Sequence, residues 1–231
     1  LLSELSFNEM IGVLQFPGSN CDLDVIHALK DILKTDAKLV FFKDQDLSGL
    51  DGLVVPGGFS YGDHLRAGAV AAKMPVLDEI KKFAELGKPV LGICNGFQIL
   101  CESGLLPGAL TKNTSLKFVC KWIEMEVCND TSTFTMEYTK GQVVRMPIAH
   151  GEGRYFCDEK TLKQLKDNDQ ICFRYRGENP NGALDNIAGI CNEEGNVLGL
   201  MPHPERASEK ILGGEDGRKM FECMLGYIRS R

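Results

Sequence analysis

A chain of 231 residues, 43% hydrophobic and 25% charged, is long enough to bury a substantial core. Its formal net charge of −6 offers no basic stripe for phosphate backbones, which argues against a nucleic-acid partner. No apolar run reaches the ~18 residues of a membrane span, the first ten residues hold Glu4 and Glu9 where a signal peptide would be basic, and nine scattered cysteines form no Cys-x-x-Cys pair, so a cytoplasmic protein without disulfides, metal site or membrane contact is expected.

Residues 11–16 are a compact apolar run closed by Pro17-Gly18-Ser19-Asn20 and read as a strand. From Asp22, an N-cap residue, Val25, Ile26, Leu29, Ile32 and Leu33 recur at helical spacing. Residues 38–42 and 52–55 give two more strands. The third ends in Pro56-Gly57-Gly58, a double glycine that can turn backbone N–H groups towards an anion or simply punctuate a turn. A helix is predicted from Pro75 to Gly87. Residues 89–93 are a buried strand, and Phe97, Ile99 and Leu100 begin the next helical repeat. This alternation predicts an α/β fold with a mostly parallel sheet and helices on both faces.

After Leu106-Pro107-Gly108 the character changes. Residues 117–128, 133–138 and 142–148 are β-rich and predict a small antiparallel insert. A short helix over 161–166 and strands over 171–175 and 187–191 follow, with Asn179-Pro180-Asn181-Gly182 a turn between the strands. Residues 197–201 form the last apolar strand, and 220–228 an apolar-faced closing helix. No linker, repeat or low-complexity tract divides the chain, so 1–231 is read as one domain, with residues 1–10 set apart as an extension.

Chemistry concentrates at two places. Gly92-Ile93-Cys94-Asn95-Gly96 matches a nucleophile elbow with sulfur for the usual hydroxyl. The two glycines suit a strained turn between a strand and a helix that approach too closely for a β-carbon. At a helix start, Cys94 would lie beside unpaired N–H groups and the positive dipole end, which can hold a developing oxyanion. A cysteine nucleophile needs a base, and a base needs a group to orient it. Of the four histidines, His203 follows a strand at the presumed active edge, and Pro204 keeps the segment extended so that Glu205 shares its side. His150 and Arg154 lie in a glycine-flanked loop, where contact with a ligand or partner competes with a satisfied loop histidine and a surface arginine.

Gly-Ile-Cys-Asn-Gly-Phe-Gln and Pro-His-Pro-Glu together resemble the class I, triad-type glutamine amidotransferases. More narrowly, residues 16–22, 56–68, 149–155 and 179–182 are similar to those of the glutaminase components of phosphoribosylformylglycinamidine synthases, over about residues 11–228. The resemblance implies a flavodoxin-like core and a thioester mechanism. Cys94 would attack the glutamine side-chain amide, His203 would act as base and then acid, and Glu205 would orient it. The backbone N–H groups of Gly58 and Asn95 would form the oxyanion hole, and Gln98 would contact the substrate. No Gly-x4-Gly-Lys-Ser/Thr loop occurs, so this chain is expected to hold no cofactor of its own. ATP and magnesium would sit on a partner synthetase subunit, with a small accessory subunit joining the complex.

Two other readings keep parts of these observations. One is a cysteine hydrolase of similar core, active without a partner and indifferent to glutamine; the other is a non-catalytic docking module. Glutaminase subunits serving other biosynthetic synthetases are the nearest rivals to the narrower resemblance.

Overall fold

Four-residue strands with no polar alternation are stable only where both faces are covered. The computed structural model, which describes residues 9–231, places such strands at the centre of a nine-stranded sheet. In chain order the strands are β1 (Met10–Gln15), β2 (Asp36–Phe41), β3 (Gly52–Val55), β4 (Val90–Ile93), β5 (Ala109–Thr111), β6 (Val119–Val127), β7 (Val143–His150), β8 (Arg154–Phe156), β9 (Ile171–Tyr175), β10 (Ile187–Cys191) and β11 (Val197–Leu200). The helices are α1 (Asp22–His27, continuing as a π turn over Ala28–Ile32), α2 (Val76–Glu85), α3 (Asn95–Glu102), α4 (Glu159–Asp167) and α5 (Arg218–Arg229).

The sheet order is β2-β1-β3-β4-β11-β10-β9-β6-β7. Its first five strands are mutually parallel, and every residue of β3, β4 and β11 is buried. The connection from β1 to β2 runs towards one edge and that from β3 to β4 towards the other. Right-handed crossovers therefore set α1 and α2 on opposite faces, as the α/β pattern implied. The carboxyl ends of β1, β3, β4 and β11 share one rim of the sheet, where functional groups of such folds gather.

The antiparallel strands expected over 117–128 and 142–148 are present as β6 and β7, which pair with each other and, through β9 and β10, continue the parallel sheet in antiparallel fashion; a separate antiparallel pair is β5 with β8. Two expectations are corrected. Residues 133–138 form turns, not a strand. There the Asn129 side-chain oxygen accepts from the Thr131 and Ser132 N–H groups, and Ser132 O accepts from the Thr135 and Met136 N–H groups. Such local bonds compete with a ladder. Of the residues set apart as an extension, Glu9 and Met10 belong to the fold. Met10 opens β1 opposite Asp36, and Glu9 pairs with Arg229 of α5 at 2.6 Å. The remainder, 1–8, lies outside the described residues.

Candidate active site

The elbow follows from close packing. Cys94 sits between β4 and α3 at φ 50°, ψ −102°, a conformation costly for a side chain-bearing residue and typical of strain held at functional sites. A β-carbon at Gly96 would run into the Val55 carbonyl oxygen, and one at Gly92 would come within 2.9 Å of the Gly96 carbonyl carbon. Strand β3, strand β4 and helix α3 can meet this tightly only with glycine at both positions. The Cys94 N–H is fixed by Leu200 O at 2.8 Å, and its thiol points towards Ala149 O at 3.7 Å.

Parallel pairing of β4 with β11, Ile93 opposite Leu200, brings the candidate base to the same rim as Cys94. His203 lies three residues past β11, its N–H donating to Pro147 O at 2.9 Å. The ring Nδ1 meets Glu205 Oε1 at 2.6 Å, with both side chains essentially buried. With Nδ1 committed to the carboxylate, Nε2 is the ring atom left for the candidate nucleophile, and the Cys94 thiol lies close enough to act on the ring electrostatically. Burial opposes charge on His203, but the Glu205 carboxylate and the Cys94 and Cys21 thiols outweigh it and hold the imidazole pKa well above its ordinary range. Glu205 Oε2 and His203 Nε2 are buried without a protein partner of good geometry.

The oxyanion-hole candidates lie in the glycine loop after β3 and at the start of α3. Ser19 and Gly58 form an antiparallel bridge whose bonds run from Asn20 N to Gly57 O and from Phe59 N to Gly18 O. In that arrangement the Gly58 N–H faces away from Ser19. Its φ of +150° and the 2.8 Å approach that a β-carbon would make to Gly18 O both require glycine. The Asn95 N–H belongs to the first turn of α3 and has no intrahelical acceptor. Asn95 Oδ1 accepts from the Ser60 N–H at 3.1 Å, tying the glycine loop to the helix start.

Gln98 is buried, and its amide is engaged at both ends. Oε1 accepts from Asn95 Nδ2 at 2.9 Å, and Nε2 donates to Glu152 O at 2.7 Å. It braces Asn95 against the loop after β7; a direct substrate contact would require one of these bonds to be exchanged. His150 ends β7 in full burial. Nδ1 faces Asn113 Oδ1 at 3.2 Å and Nε2 faces Asn181 Nδ2 at 3.5 Å, which fixes a neutral ring protonated on Nδ1. Burial, aided by the positive charge of His203, depresses its pKa to about 4. Arg154 is half-buried and donates to Gly182 O at 3.2 Å.

Sequence reasoning missed Cys21 and Arg206. Cys21 is almost fully buried, and Arg206 Nη2 donates to its sulfur at 3.1 Å. Cys21, His203 and Glu205 each bring one donor atom within 4.8 Å of the others, a grouping that could accept a cation. The guanidinium already seated on the sulfur disfavours one. Arg206 directly follows Pro-His-Pro-Glu and was the one local signal available; Cys21 lies 182 residues earlier than His203, and nothing local links the two.

Residues 9–215 match the model of the CobB/CobQ-like glutamine amidotransferase domain. A Methanosarcina acetivorans protein named phosphoribosylformylglycinamidine synthase subunit PurQ is 57% identical over 226 residues, covering 94% of this chain and 97% of that one. The Trichormus variabilis protein of the same name is 54% identical over 217 residues, with the same coverage. A structure of PurLQS from Thermotoga maritima matches with a TM-score of 0.87 at 47% identity, covering 96% of this chain and 99% of the matched one. The chain belongs to the CobB/CobQ-like family of glutamine amidotransferases.

Proposed function

We propose that the chain is the glutaminase component of a phosphoribosylformylglycinamidine synthase, cleaving glutamine and passing ammonia to an ATP-dependent synthetase subunit. The observation that carries this reading is the joining of Cys94 and His203, from the ends of two adjacent parallel strands, with Glu205 at 2.6 Å behind the ring. The high identity to proteins bearing the synthase name supports the narrower assignment.

In this reading the Cys94 sulfur attacks the side-chain amide carbon of glutamine while His203 takes the thiol proton. The tetrahedral oxyanion is received by the N–H groups of Gly58 and Asn95. His203 returns the proton to the departing nitrogen, ammonia leaves and a γ-glutamyl thioester remains. Water, deprotonated by His203, then attacks the thioester; glutamate leaves and the thiol is restored. Glu205 holds the imidazole orientation throughout and stabilises its charged form.

Ammonia released into water at neutral pH is protonated and lost to the acceptor, so the partner must close over the site. Large apolar side chains stand exposed in and beside the glycine loop. Phe59, beside Gly58, is 43% exposed and Leu65 is 88% exposed. Phe118, 54% exposed, has its ring 6.3 Å from that of Phe59. This rim suits a synthetase subunit seated over the mouth, with ATP and magnesium held there and a small accessory subunit completing the complex.

Glutamine hydrolysis by this chain with and without the synthetase, alongside Cys94→Ala, tests the assignment. Cys94→Ala should abolish glutamine use in the complex while synthesis from added ammonia continues. Loss of both would make the cysteine structural, and undiminished glutamine use would remove it from the chemistry.

A further inference from the structure

A pair of side chains behind the triad has no part in the mechanism above. The Cys21 sulfur lies where His203 and Gly57 meet; a β-carbon at Gly57 would stand 2.8 Å from His203 Cε1 and 3.0 Å from the Cys21 sulfur. The Cys21 thiol has its own acceptor in Asn20 Oδ1 at 3.3 Å, which leaves the sulfur lone pairs to receive Arg206 Nη2 at 3.1 Å. Arg206 Nε in turn donates to Asp24 Oδ2 at 3.2 Å and stands 3.9 Å from Glu205 Oε1. A buried sulfur thus fixes a guanidinium beside the carboxylate that orients the base.

We propose that Cys21 and Arg206 are positioning residues for the His203–Glu205 dyad: Arg206 sets a guanidinium beside the buried Glu205 carboxylate, and Cys21 anchors that guanidinium and walls the ring. The inference rests on the glutaminase reading for its substrate but concerns the resting triad itself. A carboxylate buried against a single imidazole must either find compensating charge or take up a proton. Arg206 provides such a charge, its Nε 3.9 Å from Glu205 Oε1. It also opposes proton uptake by the dyad as a whole, so its removal should raise the pH at which the base becomes available. The other titratable groups facing His203 and Glu205 are Cys94, Cys21 and the neutral His150, with Asp24 beyond Arg206; His27 and Glu209 share with Glu205 a cleft of about 400 Å³.

The test uses Cys21→Ala, Cys21→Ser, Arg206→Gln and Arg206→Lys in the full chain with its synthetase. Two readouts are followed across pH: kcat and KM for glutamine, and the rate at which iodoacetamide alkylates Cys94, resolved from other cysteines by peptide mass spectrometry. Arg206→Gln should move the acid limb of both profiles upward by about half a pH unit or more, and Arg206→Lys, which keeps the cation, should restore most of it. Cys21→Ala should lower kcat about five- to tenfold with KM changed less than about twofold, and Cys21→Ser, which keeps an acceptor, should recover much of the loss.

Profiles of Cys21→Ala and Arg206→Gln that superimpose on the unaltered chain overturn the proposal, as does an equal shift from the Gln and Lys variants. If Cys21→Ala does not fold, the half-exposed Arg206 pair decides alone. A chain that alkylates at Cys94 yet never cleaves glutamine defeats the glutaminase reading, while the alkylation profiles still decide this one.

Discussion

Replacing His150 with asparagine should flatten the acid side of the stability profile. His150 is buried, its Nδ1–H directed at Asn113 Oδ1 and its Nε2 facing Asn181 Nδ2, so the folded chain has no place for a second ring proton. Its pKa falls from the ordinary 6.5 to about 4 in the folded state. A histidine shifted this way binds more protons unfolded than folded at intermediate pH, so it contributes nothing against folding above about pH 6.5 and destabilises progressively as pH falls towards 4. At ~1.4 kcal/mol per pH unit, that window amounts to about 3 kcal/mol. Asp63 works in the opposite direction: burial and the neighbouring Glu152 raise its pKa to about 6, so it favours the folded chain as pH falls. The raised His203 loses its stabilising contribution only as pH rises above the ordinary imidazole range.

The assay must therefore be a difference. Urea unfolding is measured for the unaltered chain and for His150→Asn, which keeps a donor towards Asn113, from pH 7 to the acid side. Whatever packing His150→Asn loses lowers both ends of its curve alike. The unaltered chain should lose about 3 kcal/mol more than the variant between pH 6.5 and 4. Parallel curves, within about 0.5 kcal/mol, would show that the ring is protonated in the folded state and that the hydrogen-bond assignment is wrong.

Other outcomes follow from the same geometry. Gly96→Ala would press a methyl group onto the Val55 carbonyl, where the neighbour is backbone and cannot yield; a loss of about 3 kcal/mol or more in thermal or urea unfolding is expected, with glutaminase activity falling as the elbow opens. Glu205→Gln keeps the shape but removes the charge behind His203. Its kcat for glutamine should drop roughly 100- to 10,000-fold with little change in KM, and a variant within a factor of three would deny Glu205 its orienting role. Cys101 and Cys223 are buried structural thiols, so changing either to alanine should cost about 1–2 kcal/mol of stability and at most a few-fold of glutaminase rate. Complete loss of activity from either would mean the nucleophile was misassigned.

What the amino-acid sequence determined by itself is everything that local chemistry dictates. The four-residue apolar runs before Gly57-Gly58 and Cys94 had to be buried strands, since water cannot satisfy them and neighbours must. Gly92 and Gly96 mark the elbow because no larger residue survives the approach of β3, β4 and α3. The His203–Glu205 pairing was legible from three consecutive residues, but its geometry was not the extended segment expected: His203 alone is extended before the proline, and Pro204 opens a 3-10 turn over Pro204–Ala207 that brings the Glu205 carboxylate to Nδ1 at 2.6 Å. Residues 133–138 misled because β-favouring side chains there are overruled by backbone N–H groups donating to the Asn129 side chain and the Ser132 carbonyl, a competition that composition does not reveal. Only the tertiary structure decided which distant groups meet. It set β11 beside β4, so that a histidine more than a hundred residues after the cysteine reaches the same rim. It carried Cys21 from the first βα turn to the edge of the His203 ring, and it folded Gln98 back onto Asn95 and Glu152. Spacing along a chain encodes which residues share a strand or a helix face, whereas contacts between strand ends depend on the order in which the sheet is assembled.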